Sequence, residues 1–149
     1  MFTGKHIHTI DDKGRLVLPA PIRKRFEGTD TVILSPGVDG QLAINRPDEF
    51  DAYLAREEAR SMNAISRRRV RFLASSADEQ KLDKAGRVNI NEELRNIADI
   101  ELNSEVVVAG GYRQAEIWNR ARFEEDQAQA LVDQARSRAR DEAEEAAGP

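Results

Sequence analysis

Apolar residues fall into two matching series along the chain. Ile10, Leu16, Leu18 and Ile22 in the first half are answered, 72 positions later, by Leu82, Val88, Ile90 and Leu94. An internal repeat of this kind constrains the architecture before any single residue does, and here it predicts one small unit written twice. In the first unit Phe2 to Ile10 reads as a strand with imperfect alternation, Asp12 to Gly14 as a tight turn, and Leu16 to Leu18 as the returning strand. Pro19 and Pro21 end that ladder, because proline donates no backbone hydrogen bond, and both suit the first turn of a short helix carrying Ile22 and Phe26. Gly28 closes the helix. Thr31 to Leu34 and Gln41 to Ile44 then form a second hairpin across Pro36, Gly37, Asp39 and Gly40, residues that supply turn geometry.

The predicted unit is therefore ββαββ. The second half repeats it with Ala77 to Leu82, Val88 to Ile90, a helix near Glu92 to Ala98, and a hairpin of Glu105 to Ala109 with Ala115 to Trp118. Between the halves, Pro47 to Ser75 reads as helix: Asp48 is placed to cap it, and Phe50, Tyr53 and Leu54 begin an apolar face that Ile65, Val70 and Leu73 continue. From Arg120 to Ala147 the residues are good helix formers with a thin apolar stripe at Phe123, Leu131 and Val132, and the far end is expected to be frayed or disordered. The predicted division is a first repeat over 1–50, a helical connector over 51–76, a second repeat over 77–124 and an acidic helical or disordered tail over 125–149. The expected class is α+β.

Composition narrows the function classes. The 149 residues suffice for one core or for two packed halves, each marginal alone. There is no cysteine, which excludes disulfide scaffolds, zinc ribbons and thiol nucleophiles. No basic and apolar leader opens the chain and no apolar run approaches the roughly 18 residues of a membrane span, so a soluble cytoplasmic protein is expected. The net charge of −4 argues at first against a polyanionic partner. Its distribution reverses that impression: residues 1–25 carry six Lys or Arg against two acids, whereas residues 124–149 carry eight acids against three arginines. Local potential steers a ligand, and the body of the chain has basic patches.

The densest chemistry lies in the repeat itself. Asp11, Gly14 and Arg15 return in phase as Asp83, Gly86 and Arg87, and Arg23 returns as Arg95. Glycine in the turn suits positive φ, and the aspartates can accept bonds from turn amides. Both motifs could thus be no more than well-made hairpins. A turn has no need of arginine after its glycine, however; Arg15 either pairs with Asp11 or projects its five-donor fork toward phosphate or guanine. Lys5, His6, Lys13, Arg23, Lys24 and Arg25 surround the first motif in sequence, against Lys81, Lys84, Arg87 and Arg95 for the second, so the first is expected to be the better DNA reader. Arg67, Arg68, Arg69 and Arg71 form a further basic cluster whose simplest reading is a solvated helix face. His6 and His8 share a strand face but make a poor metal site without a third ligand, and no nucleophile or phosphate-binding glycine loop is present. Neither catalysis nor a cofactor is expected.

On these residues the chain resembles the MraZ family of bacterial transcriptional regulators, built from duplicated AbrB-like, swapped-hairpin domains. The signature is the paired Asp-x-x-x-Arg motif in its apolar frame, here Asp11 with Arg15 and Asp83 with Arg87; Met62, Asn63 and the Ile117–Trp118 ending also fit. The resemblance covers nearly all of the chain to about residue 125. It implies a double-ψ-like swapped-hairpin β-barrel made from two ββαββ repeats with flanking helices, and a homo-oligomeric ring. It also implies binding to double-stranded DNA at direct promoter repeats, as a nucleoid-associated repressor of its own operon among cell-division and cell-wall genes. The DNA-binding residues it implies are Asp11, Arg15, Asp83 and Arg87, extending to Lys5, Lys13, Arg23, Lys24 and Lys84. The acidic tail lies beyond the signature, and is expected to tune binding or meet a partner. The alternatives are an antitoxin-like or assembly module built on the same barrel, and a small metal-dependent hydrolase resting only on His6, His8 and nearby carboxylates.

Overall fold

The computed structural model describes residues 1–60 and 62–149. Among them the chain runs β1 (Lys5–Thr9), β2 (Arg15–Val17), α1 (Ala20–Arg23) continuing as a 3-10 turn (Lys24–Phe26), β3 (Thr31–Pro36) and β4 (Leu42–Asn45). Two helices follow, α2 (Pro47–Arg60) and α3 (Ala64–Ser76). The second copy supplies β5 (Asp78–Lys81), β6 (Arg87–Asn89), α4 (Glu92–Ala98), β7 (Glu105–Gly110) and β8 (Ala115–Asn119), and α5 (Arg120–Ala147) ends the chain. The fold is mixed, with antiparallel sheets and five α-helices among the described residues.

Strand pairing departs from the local hairpins expected for the first half of each unit. Leu16 does not return against β1; it pairs with Val88, its repeat counterpart, in a two-stranded ribbon of β2 and β6. Strand β1 instead pairs with β7 of the second copy, and β5 with β3 of the first. The remaining strands complete a six-stranded sheet in the order β1-β7-β8-β4-β3-β5, which reads the same from either end when each strand is exchanged for its counterpart. The long partners are taken elsewhere: β1 forms its five-residue ladder with β7 and β5 its ladder with β3, leaving the three-residue β2 to meet the equally short β6. The turn still closes at its mouth, Asp11 N–H donating to the Arg15 carbonyl at 3.0 Å. Beyond it, the outer edge of the ribbon is met by side chains. His8 Nδ1 lies 2.8 Å from the Val17 carbonyl oxygen, and its counterpart Gln80 bonds both the N–H and the carbonyl of Asn89.

Other expectations shift at element ends. The first strand is shorter than Phe2 to Ile10, because Gly4 at φ +84° bends the chain and leaves Phe2 in an isolated bridge with Tyr112. The connector is two helices, not one. The expected continuous helix crosses Ser61, which lies outside the described residues, and α3 starts afresh behind Asn63, whose side chain accepts the Ser66 N–H at 2.8 Å. Asp48 falls inside the first turn of α2 rather than before it, where its charge still complements the helix N-terminus.

The core explains the long apolar runs. Leu34, Leu42, Ile44, Val106, Val108 and Ile117 on one sheet face join Ile10, Leu16, Ile22, Phe26, Val88, Ile90 and Leu94, all at most 1% exposed. The alternate residues Ile33, Ala43, Val107 and Ala109 are buried too. Helices α2 and α3 lie against β3 and carry the buried Phe50 and Leu73. A sheet covered on both faces has no need of polar alternation.

Residues Met1–Asn119 form one compact unit and Arg120–Pro149 a second. The second is a single helix to Ala147, with Arg120 to Glu124 at 3.0 Å and Gln129 to Asp133 at 2.9 Å among the i,i+4 pairs that favour it. No helix of the described residues is long and apolar enough to cross a membrane.

Candidate nucleic-acid interface

The repeated motif builds two nearly identical turns. Asp11 Oδ1 accepts the backbone N–H groups of Lys13 and Arg15 at 2.9 and 2.8 Å, and Oδ2 accepts Arg15 Nε at 2.6 Å. Asp83 does the same with Ala85, Arg87 and Arg87 Nε at 3.0, 2.9 and 2.6 Å. The two readings of Arg15 left open by the sequence are therefore compatible. Its Nε is held by the aspartate, while the Nη groups of Arg15 and Arg87 make no hydrogen bond among the described residues. A guanidinium fixed through Nε is oriented before it meets a ligand, which lowers the entropy lost on binding.

Each turn is completed by the other copy. The Gly14 carbonyl accepts the Ile90 N–H at 2.8 Å, and the Gly86 carbonyl accepts the Leu18 N–H at 3.0 Å. Gly14 and Gly86 are at φ +83° and +74°, as the turn reading expected. Arg95 lies against Gly14 and donates to the Ile90 carbonyl at 2.5 Å, whereas Arg23 lies against Gly86 and donates to the Ala85 carbonyl at 3.3 Å. The expected cluster of Arg23 around Arg15 is thus corrected: the pairing of strands across the two copies carries Arg23 to the second motif and brings Arg95 to the first.

Within the ribbon, Leu16 and Val88 face the core, so the alternate residues Arg15, Val17, Arg87 and Asn89 share the outward face. Arg15 stands opposite Asn89, and Val17 opposite Arg87. Lys13 and Lys84 are exposed on the turns that flank this face. Lys5 sits at the start of β1 opposite Ala109, and Lys24 is exposed in the 3-10 turn; neither is on the ribbon. Arg67 to Arg71 belong to α3, where Arg69 is engaged by Glu57 and by the Tyr53 hydroxyl, both at 3.0 Å. His8 is used at the ribbon edge, and no group of three metal-ligating side chains occurs among the described residues. Val17, Asn89 and Gln80 were not singled out from sequence, although the alternation around Leu16 and Val88 marks the first two as outward.

The hydrogen bonds shift the aspartates. The Arg15 backbone N–H, assisted by its side chain and the Lys13 N–H, outweighs desolvation and holds Asp11 at about 2, below the ordinary 3.8. Asp83 is lowered in the same way, chiefly by the Arg87 backbone N–H. A carboxylate with a depressed folded pKa binds fewer protons folded than unfolded, so its stabilisation is full above about pH 4 and fades as pH falls toward 2. Urea titrations at pH 5 and pH 2.5 should show a smaller acid-induced loss of stability in Asp11→Asn than in the wild type. An equal loss would mean that the Asp11 clamp does not contribute.

The chain is similar to known proteins over most of its length. A family model described as "MraZ protein", antitoxin-like, matches twice, over residues 1–72 and 73–145. A protein of Moorella thermoacetica named transcriptional regulator MraZ is 40% identical over 142 residues, covering 89% of this chain and 95% of its own. Proteins of the same name from Nocardia farcinica (38% identical over 138 residues) and Saccharopolyspora erythraea (40% over 139) each cover 87% of this chain and 94% of their own.

Proposed function

The chain belongs to the MraZ family, and on that premise we propose that it is a transcriptional regulator that binds double-stranded DNA through the outward face of its β2–β6 ribbon. One observation carries this reading: two arginines, each held through Nε by an aspartate, stand on one face of an antiparallel two-stranded ribbon. Such a ribbon fits the major groove, about 12 Å wide, and an arginine fork suits guanine O6 and N7. Diagonal neighbours on one face lie about 7–8 Å apart, close to two base steps of about 3.4 Å each. Arg15 and Arg87 read bases, with Asp11 and Asp83 orienting them. Lys13 and Lys84 bind flanking phosphates, and Lys5, Arg23 and Lys24 add to the positive potential.

We further read the sheet and ribbon together as a swapped-hairpin, double-ψ-like barrel of two repeats, 1–50 and 77–124, with the connector 51–76 and tail 125–149 outside it. Copies joined head to tail in a ring would present the ribbon in one sense, which suits direct repeats better than a palindrome. Linked weak sites then gain through effective concentration. Occupied repeats at the promoter of its own operon, among cell-division and cell-wall genes, would block polymerase, a nucleoid-associated cytoplasmic role that needs no catalytic group. The antitoxin-like family description and the acidic blocks of α5 favour a second reading, a protein-interaction module, in which a stoichiometric basic protein co-purifies. Fluorescence anisotropy titrations on the chain's own promoter DNA and on a scrambled duplex, at several salt concentrations, test the proposal. Preferential, repeat-dependent binding with a steep salt slope is expected, and equal affinity for both duplexes would overturn it.

A further inference from the structure

We propose that Val17 and Asn89 set the direction in which the ribbon lies on its site, with Val17 packing against the 5-methyl group of a thymine. The inference rests on the reading of the ribbon as the DNA-binding face. The two halves of that face are related by the repeat, with Arg15 equivalent to Arg87 and each held identically by its aspartate. Were the face wholly symmetric, it would bind a directional site equally well in either orientation. Direct repeats read by identically oriented copies need that degeneracy removed.

Between the two arginines the symmetry fails. Val17 and Asn89 occupy equivalent positions, and they differ in chemistry. Val17 is 42% exposed, an aliphatic group on the outward face directly opposite Arg87. Its strand is fixed from behind, since its carbonyl oxygen meets His8 Nδ1 at 2.8 Å and the neighbouring Leu16 is fully buried. Asn89 is exposed opposite Arg15 and pinned more tightly still. Gln80 bonds its N–H and carbonyl at 2.7 and 2.8 Å, and its Nδ2 donates to the Lys13 carbonyl at 3.3 Å. That leaves Oδ1 as the atom that can accept from a base. One half of the face therefore offers a fork beside an aliphatic surface, and the other a fork beside a hydrogen-bond acceptor.

Major-groove chemistry distinguishes the two. A thymine presents a methyl group that rewards apolar contact, whereas adenine and cytosine present exocyclic amino donors. The Arg87–Val17 half favours a guanine with a neighbouring thymine, and the Arg15–Asn89 half a guanine with a neighbouring adenine or cytosine. A reversed ribbon would set Val17 against an amino group and Asn89 Oδ1 against a methyl, leaving polar groups unpaired, and that mismatch fixes the direction.

The full chain and its promoter repeats provide the test, with each thymine replaced in turn by deoxyuridine, which removes the methyl and keeps the pairing. One thymine per repeat should prove sensitive, its replacement weakening wild-type binding about three- to fivefold, the scale of one buried methyl. Val17→Ala should bind the two duplexes equally while keeping the wild-type salt slope. Exchanging the residues in Val17→Asn/Asn89→Val should move the sensitive thymine to the other half of the repeat. If no replacement matters to the wild type, or if the exchanged variant keeps the same sensitive thymine, the inference is wrong even where Arg15→Ala still weakens binding. If Arg15→Ala binds as well as wild type, the ribbon reading fails and takes this inference with it.

Discussion

Replacing Arg15 by alanine should weaken binding to the promoter repeats about ten- to a hundredfold at fixed salt, with little change in melting temperature. A bidentate arginine–guanine contact contributes about 1–3 kcal/mol of discrimination, and in an assembly engaging several repeats the loss is multiplied. The fold loses only a partly exposed ion pair, Arg15 Nε to Asp11 at 2.6 Å, and solvent screening leaves such pairs little weight in stability. Arg87→Ala should act in the same direction, since its geometry is the same. Lys84→Ala provides the contrast: a phosphate contact weakens binding to all sequences alike and lowers the salt slope by about one. Anisotropy titrations of the three variants separate these patterns. A folded Arg15→Ala with undiminished specificity would make the motif a structural turn.

The second large effect falls on stability. A β-carbon at Gly14 would lie 2.8 Å from both the Ile90 carbonyl oxygen and Arg95 Nη1, on a backbone at φ +83°. The left-handed conformation alone costs a non-glycine residue about 1–3 kcal/mol. The Ile90 carbonyl cannot move away without losing the turn's cross-copy bonding. Gly14→Val should therefore lower the melting temperature by roughly 5–10 °C, on the scale of about 2–4 °C per kcal/mol for larger domains. Gly86→Ala should cost less, because there the new methyl meets the flexible Arg23 side chain instead of a backbone oxygen. Calorimetry on both variants decides the matter, and a wild-type melting temperature for Gly14→Val would contradict the turn geometry.

Much of this architecture is legible in the chain because a repeat imposes itself at several levels at once. The apolar series, the turn glycines and the aspartate acceptors all appear in sequence and recur in space. Strand partners do not. Alternation shows which face of Leu16 is buried but not that Val88 lies opposite, and only the pairing across copies carries Arg23 to Gly86 and Arg95 to Gly14. Grouping basic residues around Arg15 by nearness in sequence misses a topology whose strands pair across the two copies. The helix break at Asn63 had a local signal, an asparagine placed to cap, masked by an apolar face that continues on both sides. Val17 looked like any strand valine, and its meaning came from being outward where its counterpart is Asn89.

The chain contains no cysteine, so one introduced thiol is unambiguous, and this permits the most direct test of where DNA lies. Val17→Cys and, as a control on the exposed face of α3, Phe72→Cys are each mixed with promoter DNA carrying a thiol tethered to a major-groove base edge. Rapid disulfide capture at position 17, depending on the promoter sequence and absent at position 72, is the predicted result. Capture at position 72 with none at position 17 would contradict the assignment of the ribbon as the DNA-reading element.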